Sequence, residues 1–167
     1  MRGAGESGVV LSGIGWDSHR LAPGRALVLG GVHIPAARGP LAHSDGDVLT
    51  HAIIDALLGA GGLGDIGQHF PDSDERYRDA KSLELLATVV DTVSSAGFEV
   101  VNVDATVLAE HPRLGPHREG IQATLAGVLG LVAHRVNVKA TTGEGMGFVG
   151  RGEGIAALAV AALRTTV

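Results

Sequence analysis

The chain has 167 residues, 13 basic against 18 acidic side chains, a formal net charge of −5 and no cysteine. Thiolate catalysis, disulfides and iron–sulfur clusters are therefore excluded, and a transition metal would have to bind His, Asp or Glu. The acidic charge and the scarcity of aromatic residues argue against a nucleic-acid partner. No segment approaches the ~20 apolar residues of a membrane span, and no secretory signal is visible. We expect one cytoplasmic domain over residues 1–167, with residues 1–8 as a frayed tail.

The first predicted strand, "VVLSGIGWD", is followed directly by "SHRL". Side chains two positions apart along a strand share a face, so Asp17 and His19 are expected to converge on one point at the strand end. That arrangement suits a metal ion or a hydrogen-bonded pair, although it is also a common accident. A second strand is predicted in "RALVLGGVHIP", with Gly30-Gly31 as a bulge or tight bend.

The clearest helix is predicted in "HSDGDVLTHAIIDALLGAGGLGD", with Ser44 as N-cap, Asp47 at the reciprocal capping position and glycines 59–62 as the stop. An apolar stripe at helical spacing is expected to face the core. Asp47, His51 and Asp55 form a second stripe beside it. Such a polar stripe is usually a solvated edge, but a histidine within it also allows a functional role.

After a loop, "GDIGQHFPDSDE", the pattern predicts a helix in "AKSLELLATVVDTVSSAG", a strand in "FEVVNVDATVLAE", a helix in "HREGIQATLAGVLG" and a strand in "HRVNVKATTGEG". The final "GIAALAVAALRTTV" is apolar on both faces and fits a helix or a strand. If it is a strand, one face needs cover from outside this chain, which favours association of subunits through their sheets.

Two groups of residues could carry chemistry. Asp17, His19 and His51 would give three metal ligands with room for a fourth, the pattern of catalytic zinc, although a non-haem iron triad has the same donors. The loop "KATTGEGMGFVGRGEG" offers backbone amides, hydroxyls and Arg151 to phosphate oxygens, and Glu144 to a divalent cation such as Mg²⁺. It is not a nucleotide P-loop, and a flexible surface hairpin is an equal alternative. His43, just before the helix start, could meet an anion or have no role.

Three segments together resemble the 2-C-methyl-D-erythritol 2,4-cyclodiphosphate synthases of the non-mevalonate isoprenoid pathway. These are "DSH" near the N-terminus, "AHSDGDVLTHAIIDALLGAGGLGDIGQHFPDSD", and "VNVKATTGEGMGFVGRGEG". The resemblance extends from about residue 10 to the end. It implies an α+β fold, a two-layer sandwich in which helices cover one face of a mixed four-stranded sheet. It also implies a homotrimer with the sheets towards the threefold axis and active sites between subunits.

The resemblance further implies a metal-dependent phosphorus–oxygen lyase. The 2-phosphate of 4-diphosphocytidyl-2-C-methyl-D-erythritol 2-phosphate attacks the β-phosphorus, which releases CMP and forms the 2,4-cyclodiphosphate. Zinc would lie on Asp17, His19 and His51, and Mg²⁺ or Mn²⁺ on Glu144. His43 and Thr142 would stabilise charge in the transition state.

The remaining implied contacts are to the substrate. The methylerythritol part would lie against Asp65, Ile66, Gly67, Phe70, Pro71, Asp72, Ser73 and Asp74. Ser44, Phe148 and Arg151 are further implied substrate contacts. The cytidine diphosphate part would lie against a neighbouring subunit's Ala109, Glu110, His111, Pro112, Arg113, Leu114, Gly115, Thr141, Thr142 and Gly143. Trp16, Phe148, Arg151 and Glu153 resemble positions near the trimer axis, where some relatives hold an isoprenoid diphosphate.

Some positions leave alternatives open. Asp55 could orient His51 as a hydrogen-bond acceptor or face solvent. Gly143 and Gly145 stand where many relatives have a threonine and a lysine, so side-chain contacts are lost and a more mobile loop is expected. Lys81 replaces an acidic residue often found before the serine that follows it, at what we expect to be a solvated helix start. An iron oxygenase and a non-catalytic trimeric binder are the rival hypotheses, but neither accounts for both the metal set and the phosphate-type loop.

Overall fold

The computed structural model describes residues 8–166 and has two layers, a mixed sheet and a layer of helices. The sheet order is β4-β1-β7-β5-β6, and only the β5–β6 pair is parallel. The bounds of these strands are β1 Val10–Pro23, β4 Arg38–Pro40, β5 Phe98–Leu108, β6 Val136–Thr141 and β7 Gly154–Thr165. A separate hairpin consists of β2, Leu27–Leu29, and β3, Val32–Ile34. The predicted frayed tail lies, except for Gly8, outside the described residues.

Three longer helices form the second layer: α1, Val48–Gly61, α3, Ser82–Ser95, and α4, Arg118–Leu129. Two short helices, α2 at Ile66–His69 and α5 at Gly147–Gly150, lie in the loops. Helix α1 packs on β1 and β7 in the middle of the sheet and is buried along almost its whole length. Helices α3 and α4 pack beside it, so the core lies between the helices and one face of the sheet.

The last apolar segment is a strand. Along β7, Ala157, Ala159 and Ala161 are fully buried towards the helices. Leu158 and Val160 point to the opposite face and are 36% and 44% exposed. They pair in register with Trp16 and Ile14 of β1, which are 50% and 67% exposed. The described chain therefore leaves a continuous apolar patch on the face that carries no helices.

Two glycines bring α1 unusually close to β1. A Cβ at Gly13 would lie 2.2 Å from the Ala56 carbonyl oxygen, and one at Gly15 would lie 1.9 Å from the Ala52 carbonyl oxygen. No side chain fits at either position, so the helix backbone rests directly on the strand. This contact fixes the distance between residues of β1 and residues of α1.

Three local predictions need correction. The sheet has five strands rather than four, because the short β4 pairs with the end of β1 beyond the first predicted strand. The segment "RALVLGGVHIP" forms two strands rather than one, because Gly30-Gly31, both with positive φ, make the tight bend that was one of the two alternatives and turn the chain into the β2–β3 hairpin. The N-cap of α1 is Asp47, whose side chain accepts a hydrogen bond from the Thr50 amide, so Ser44 lies before the helix.

None of the helices within residues 8–166 is long and apolar enough to span a membrane.

Candidate active site

Asp17, His19 and His51 meet at one point. The Asp17 Oδ2 atom lies 2.9 Å from His19 Nε2 and 3.1 Å from His51 Nδ1. The two histidine nitrogens are 3.5 Å apart. One carboxylate oxygen and two imidazole nitrogens in such a cluster match the donor set of a zinc site with an open position. Within the described part of the chain, these three residues form the group suited to a metal ion.

The local structure explains the convergence. Asp17 and His19 lie in the interior of β1, which continues to Pro23, so they are not at the strand end as predicted. Both point to the helix side of the sheet. His51 is in the first turn of α1, the helix that Gly15 holds against β1. The alternation of the strand and the close approach of the helix together complete the three-residue cluster.

The cluster is held by opposite charges. Burial tends to raise the pKa of Asp17, but hydrogen bonds with His19 and His51 outweigh it and lower this pKa to about 2. Burial tends to lower the pKa of His51, and the neighbouring Asp17 carboxylate outweighs it and raises that pKa. A cation that replaces these protons would meet a negatively charged carboxylate and two nitrogen donors.

The second nitrogen of His51 contacts Ser82 rather than Asp55. His51 Nε2 lies 2.8 Å from Ser82 Oγ, and Ser82 Oγ in turn contacts an oxygen of Asp45. Asp55 instead accepts a hydrogen bond of 2.7 Å from the Ile66 amide. Both alternatives considered for Asp55 are therefore wrong: it is half-buried and anchors the loop that leads into α2.

Asp47 is fully buried rather than part of a solvated edge. Its carboxylate accepts hydrogen bonds from the amides of Gly30, Gly31 and Thr50 and from the Thr50 hydroxyl. It therefore ties the start of α1 to the β2–β3 turn, one helical turn before His51. Each residue of the stripe Asp47, His51 and Asp55 therefore has specific hydrogen-bond partners and is not a solvated edge.

A cleft of about 660 Å³ opens beside the cluster. Most residues that the resemblance assigned to the metal and the methylerythritol part line this cleft, together with His43 and Ser44: Asp17, His19, His43, Ser44, His51, Ile66, Gly67, Phe70, Pro71, Asp72, Ser73 and Asp74. Asp65 is not in the lining, because its side chain caps α2 through the Gln68 amide. His43 is exposed and lies four residues before the true N-cap, so the argument from the helix terminus does not apply to it.

A second cleft, of about 600 Å³, lies where β5 and β6 end. Its lining includes Ala109, Glu110, Pro112, Arg113, Leu114, Gly115, Thr141 and Thr142. The Gly143 amide donates to the Glu110 carboxylate at 2.9 Å, which joins the two loops. Thr142 Oγ1 donates to Glu144 Oε1 at 3.0 Å. Arg118 also lines this cleft and has no counterpart among the predicted residues.

The two clefts of one chain share no lining residue. Glu144 and Phe148 line neither of them. Arg151 lines a third cavity with His111 and makes an ion pair of 2.8 Å with Glu153. Within the described chain, the metal cluster and the loops predicted to hold the nucleotide are therefore separate.

The glycines of the last loop are needed by its backbone. A Cβ at Gly143 would lie 2.5 Å from the Gly150 amide nitrogen, and Gly145 has a φ of 74°. A threonine at position 143 would therefore not fit this loop as it is folded. The predicted mobility of the loop stays a prediction.

Several residues beside the cluster had no predicted role. Ser82 and Asp45 contact His51 or its partner, and Tyr77 and Arg78 line the cleft. Asp45 stands within the segment that carries the resemblance, but sequence spacing cannot connect it with Ser82, 37 positions later. Only the packing of α3 against α1 brings these two side chains together.

The model of the YgbB family matches residues 10–164. The chain belongs to this family. It is 55% identical over 151 residues to the 2-C-methyl-D-erythritol 2,4-cyclodiphosphate synthase of Alkaliphilus oremlandii, covering 90% of this chain and 96% of the relative. The enzyme of the same name from Syntrophomonas wolfei is 58% identical over 148 residues, covering 89% and 94% of the two chains.

Solved structures agree with this assignment. A 2C-methyl-D-erythritol-2,4-cyclodiphosphate synthase in a CDP-bound form matches with a TM-score of 0.85 and 40% identity, over 91% of this chain and 99% of that one. The bifunctional IspDF of Campylobacter jejuni matches with a TM-score of 0.92 and 45% identity, over 95% of this chain and 43% of the bifunctional one. The family resemblance and the α+β architecture predicted from the sequence are thereby confirmed.

Proposed function

We propose that this chain cyclises 4-diphosphocytidyl-2-C-methyl-D-erythritol 2-phosphate to 2-C-methyl-D-erythritol 2,4-cyclodiphosphate, with release of CMP, in the non-mevalonate isoprenoid pathway. It acts as a phosphorus–oxygen lyase in the cytoplasm, and residues 1–167 form one domain for this reaction. The observation that carries the proposal is the cluster of Asp17, His19 and His51 at the wall of a cleft. The relatives of this chain are named as 2-C-methyl-D-erythritol 2,4-cyclodiphosphate synthases, which supports the same reaction.

Asp17, His19 and His51 are the proposed zinc ligands. The donor set of one oxygen and two nitrogens fits zinc, and the atoms are already within 3.5 Å of one another. When bound, zinc would supply a Lewis acid that offsets negative charge on the β-phosphate. His51 contacts Ser82 through Nε2 and Asp17 through Nδ1, so its ring needs little rearrangement to bind a metal.

The chain's own residues have to fold a flexible polyanion so that the attacking and leaving oxygens lie in line. The proposed methylerythritol site is the loop of residues 65–74, which α1 supports through the hydrogen bond from Ile66 to Asp55. The attacking group belongs to the substrate, so no protein nucleophile is required. His43 and Ser44, at the rim of the same cleft, are proposed to donate hydrogen bonds to phosphate oxygens.

The cleft at the ends of β5 and β6 is proposed to bind the cytidine diphosphate part. Arg113 and Arg118 bring positive charge to it, and Thr141 and Thr142 bring hydroxyl groups. Glu144, held beside Thr142, is proposed to bind Mg²⁺ or Mn²⁺ at the diphosphate. The hydrogen bond from Gly143 to Glu110 keeps the two loops in a fixed relation.

A homotrimer is proposed because the metal cluster and the nucleotide cleft of one chain do not merge. An active site between subunits would place the metal cluster of one chain against the nucleotide cleft of its neighbour. The apolar patch of Ile14, Trp16, Leu158 and Val160 offers a surface for this assembly. Trp16, Phe148, Arg151 and Glu153 are proposed to face the trimer axis, where an isoprenoid diphosphate could bind.

The decisive experiment follows the reaction by phosphorus NMR. Purified protein with zinc, Mg²⁺ and the diphosphocytidyl substrate should convert it to CMP and the cyclic diphosphate. Substrate that binds but stays intact would overturn the enzyme assignment and favour a binding protein. A parallel reaction without Mg²⁺ should be much slower if Glu144 holds a second cation.

A further inference from the structure

Three polar side chains from different parts of the fold form a chain of hydrogen bonds behind His51. His51 Nε2 lies 2.8 Å from Ser82 Oγ, the side chain of the first residue of α3. The Ser82 hydroxyl also contacts Oδ1 of Asp45, in the loop before α1. Ser82 is fully buried and His51 is 9% exposed, so the hydrogen bond between them is shielded from solvent, whereas Asp45 is half-buried. Ser44 Oγ is a more distant neighbour of the same nitrogen, at 3.4 Å.

The carboxylate of Asp45 is fixed at both oxygens. Its Oδ2 accepts a hydrogen bond of 3.0 Å from the Ser82 backbone amide, and its Oδ1 accepts from the Ser82 hydroxyl and, at 3.2 Å, from the Asp47 amide. The residue before Ser82, Lys81, makes no side-chain cap, so Asp45 supplies the missing acceptor at the N-terminus of α3 from another part of the chain. Asp45 therefore cannot turn away without leaving a buried amide unpaired.

The chemistry of the three groups determines which atom donates in each of these hydrogen bonds. A carboxylate only accepts hydrogen bonds, so the single hydroxyl proton of Ser82 points to Asp45. The Ser82 oxygen must then accept from His51, which places the ring proton on Nε2. The lone pair of a neutral His51 is left on Nδ1, the atom that faces Asp17 and His19.

We propose that Asp45 and Ser82 are positioning residues for metal binding, which fix the tautomer and the ring orientation of His51 so that Nδ1 is the ligand atom. This inference rests on the zinc site of the proposed function. Mutation of a residue that orients a ligating histidine in this way typically lowers metal affinity by about 10- to 100-fold.

Asp45→Asn tests whether Asp45 acts through its hydrogen bonds to Ser82 or only by filling space. The amide keeps the size of the carboxylate, but it has one acceptor instead of two. The amide oxygen can keep either the hydrogen bond from the Ser82 amide or those from the Ser82 hydroxyl and the Asp47 amide, but not both sets. In the first case the NH₂ group donates to the Ser82 oxygen, the hydroxyl donates to His51 Nε2, and the neutral ring's proton moves to Nδ1, where it blocks the metal. In the second case the buried Ser82 amide loses its partner, and the oxygen that accepts from His51 is no longer fixed.

The test compares wild-type protein with Ser82→Ala, Asp45→Asn and the double variant. Ser94→Ala, on the exposed side of α3, is the matched control. The first readout is the zinc dissociation constant, measured by competition with a chelator at one fixed pH. The second is the imidazole N–H signal of His51 in zinc-loaded protein labelled with ¹⁵N-histidine, together with its rate of exchange with water. Circular dichroism of each variant checks folding.

Ser82→Ala and Asp45→Asn are each expected to weaken zinc binding by about 10- to 100-fold, and Ser94→Ala to leave it unchanged. The double variant should lose no more affinity than Ser82→Ala alone, because Asp45 acts through Ser82. The slowly exchanging Nε2–H signal of the wild type should exchange much faster in Ser82→Ala.

Three results would overturn the inference. One is zinc affinity within about twofold of wild type in both folded single variants. Another is weaker binding with an unchanged, slowly exchanging N–H signal, which would indicate a packing effect. Wild-type protein that binds no zinc would overturn the proposed metal site itself, and the inference with it.

Discussion

Gly15→Ala tests whether the close approach of α1 to β1 builds the metal cluster. An added Cβ would lie 1.9 Å from the Ala52 carbonyl oxygen and 2.7 Å from the Ala56 amide nitrogen. Real Cβ atoms essentially never come within 3.0 Å of such atoms, so the helix and the strand must separate by roughly 1 Å or more. Both obstructing atoms belong to the helix backbone and cannot turn aside as a flexible side chain would.

The separation acts directly on the site, because His51 is next to Ala52 and Gly15 is two residues before Asp17. Metal–ligand distances vary by only about 0.2 Å in working sites, so a shift of this size should disrupt the cluster. We expect zinc affinity to fall at least about tenfold, and the free energy of unfolding to fall by about 1–3 kcal/mol, the usual cost of overpacking. Chelator competition and denaturant unfolding of the metal-free protein measure the two effects.

Gly127→Ala is the matched control. Gly127 is exposed in the interior of α4, and an added Cβ meets nothing within 4 Å. This variant should gain about 0.5–1 kcal/mol of stability and bind zinc normally, because alanine favours a helix. If Gly15→Ala matches the wild type in both stability and zinc affinity, the tight contact between α1 and β1 is not what places His51.

Three further predictions concern the cluster and its support. His51→Ala should lose zinc and turnover while size-exclusion chromatography shows an unchanged assembly; full turnover would refute its role as a ligand. Asp55→Ala should raise KM about tenfold through a looser loop at Ile66 and keep zinc affinity, whereas a lost metal with an unchanged KM would contradict this role. In metal-free protein the lowered pKa of Asp17 means that its native ion pairs stabilise the fold above pH 4; this contribution, up to about 2 kcal/mol, should disappear between pH 4 and pH 2 in unfolding experiments. Asp17→Asn should lack that part of the pH dependence. Identical stability–pH profiles for the wild type and Asp17→Asn would show that the ion pairs of Asp17 do not stabilise the fold.

The regular elements could be predicted well because local patterns determine them. The apolar stripe of α1 and the alternation of β1 are visible in single segments, and both elements exist in the structure. The last apolar segment was ambiguous because a strand that must be covered on both faces has no alternation of polar residues. Its extended form becomes clear only when β1 and β5 are placed on either side of it.

The site was predicted in part for the same reason. Asp17 and His19 are linked by strand spacing, His51 is a histidine within the polar stripe of the predicted helix, and the family resemblance then assigns zinc to all three. The partners of these residues depend on tertiary packing instead. Asp55 was assigned to His51 or to solvent from helical spacing, but the loop at Ile66 provides its donor. Ser82 received no role, because only the docking of α3 brings it to His51.

Mixed trimers test most directly whether the metal cluster of one chain works with the nucleotide cleft of another. His51→Ala removes the first half of a site and Glu144→Gln impairs the second, so each variant alone should be nearly inactive. If every site takes its two halves from neighbouring subunits, trimers reassembled at random from equal amounts of both should recover about a quarter of the wild-type activity. Recovery of no activity, in trimers shown to contain both chains, would contradict a site shared between subunits.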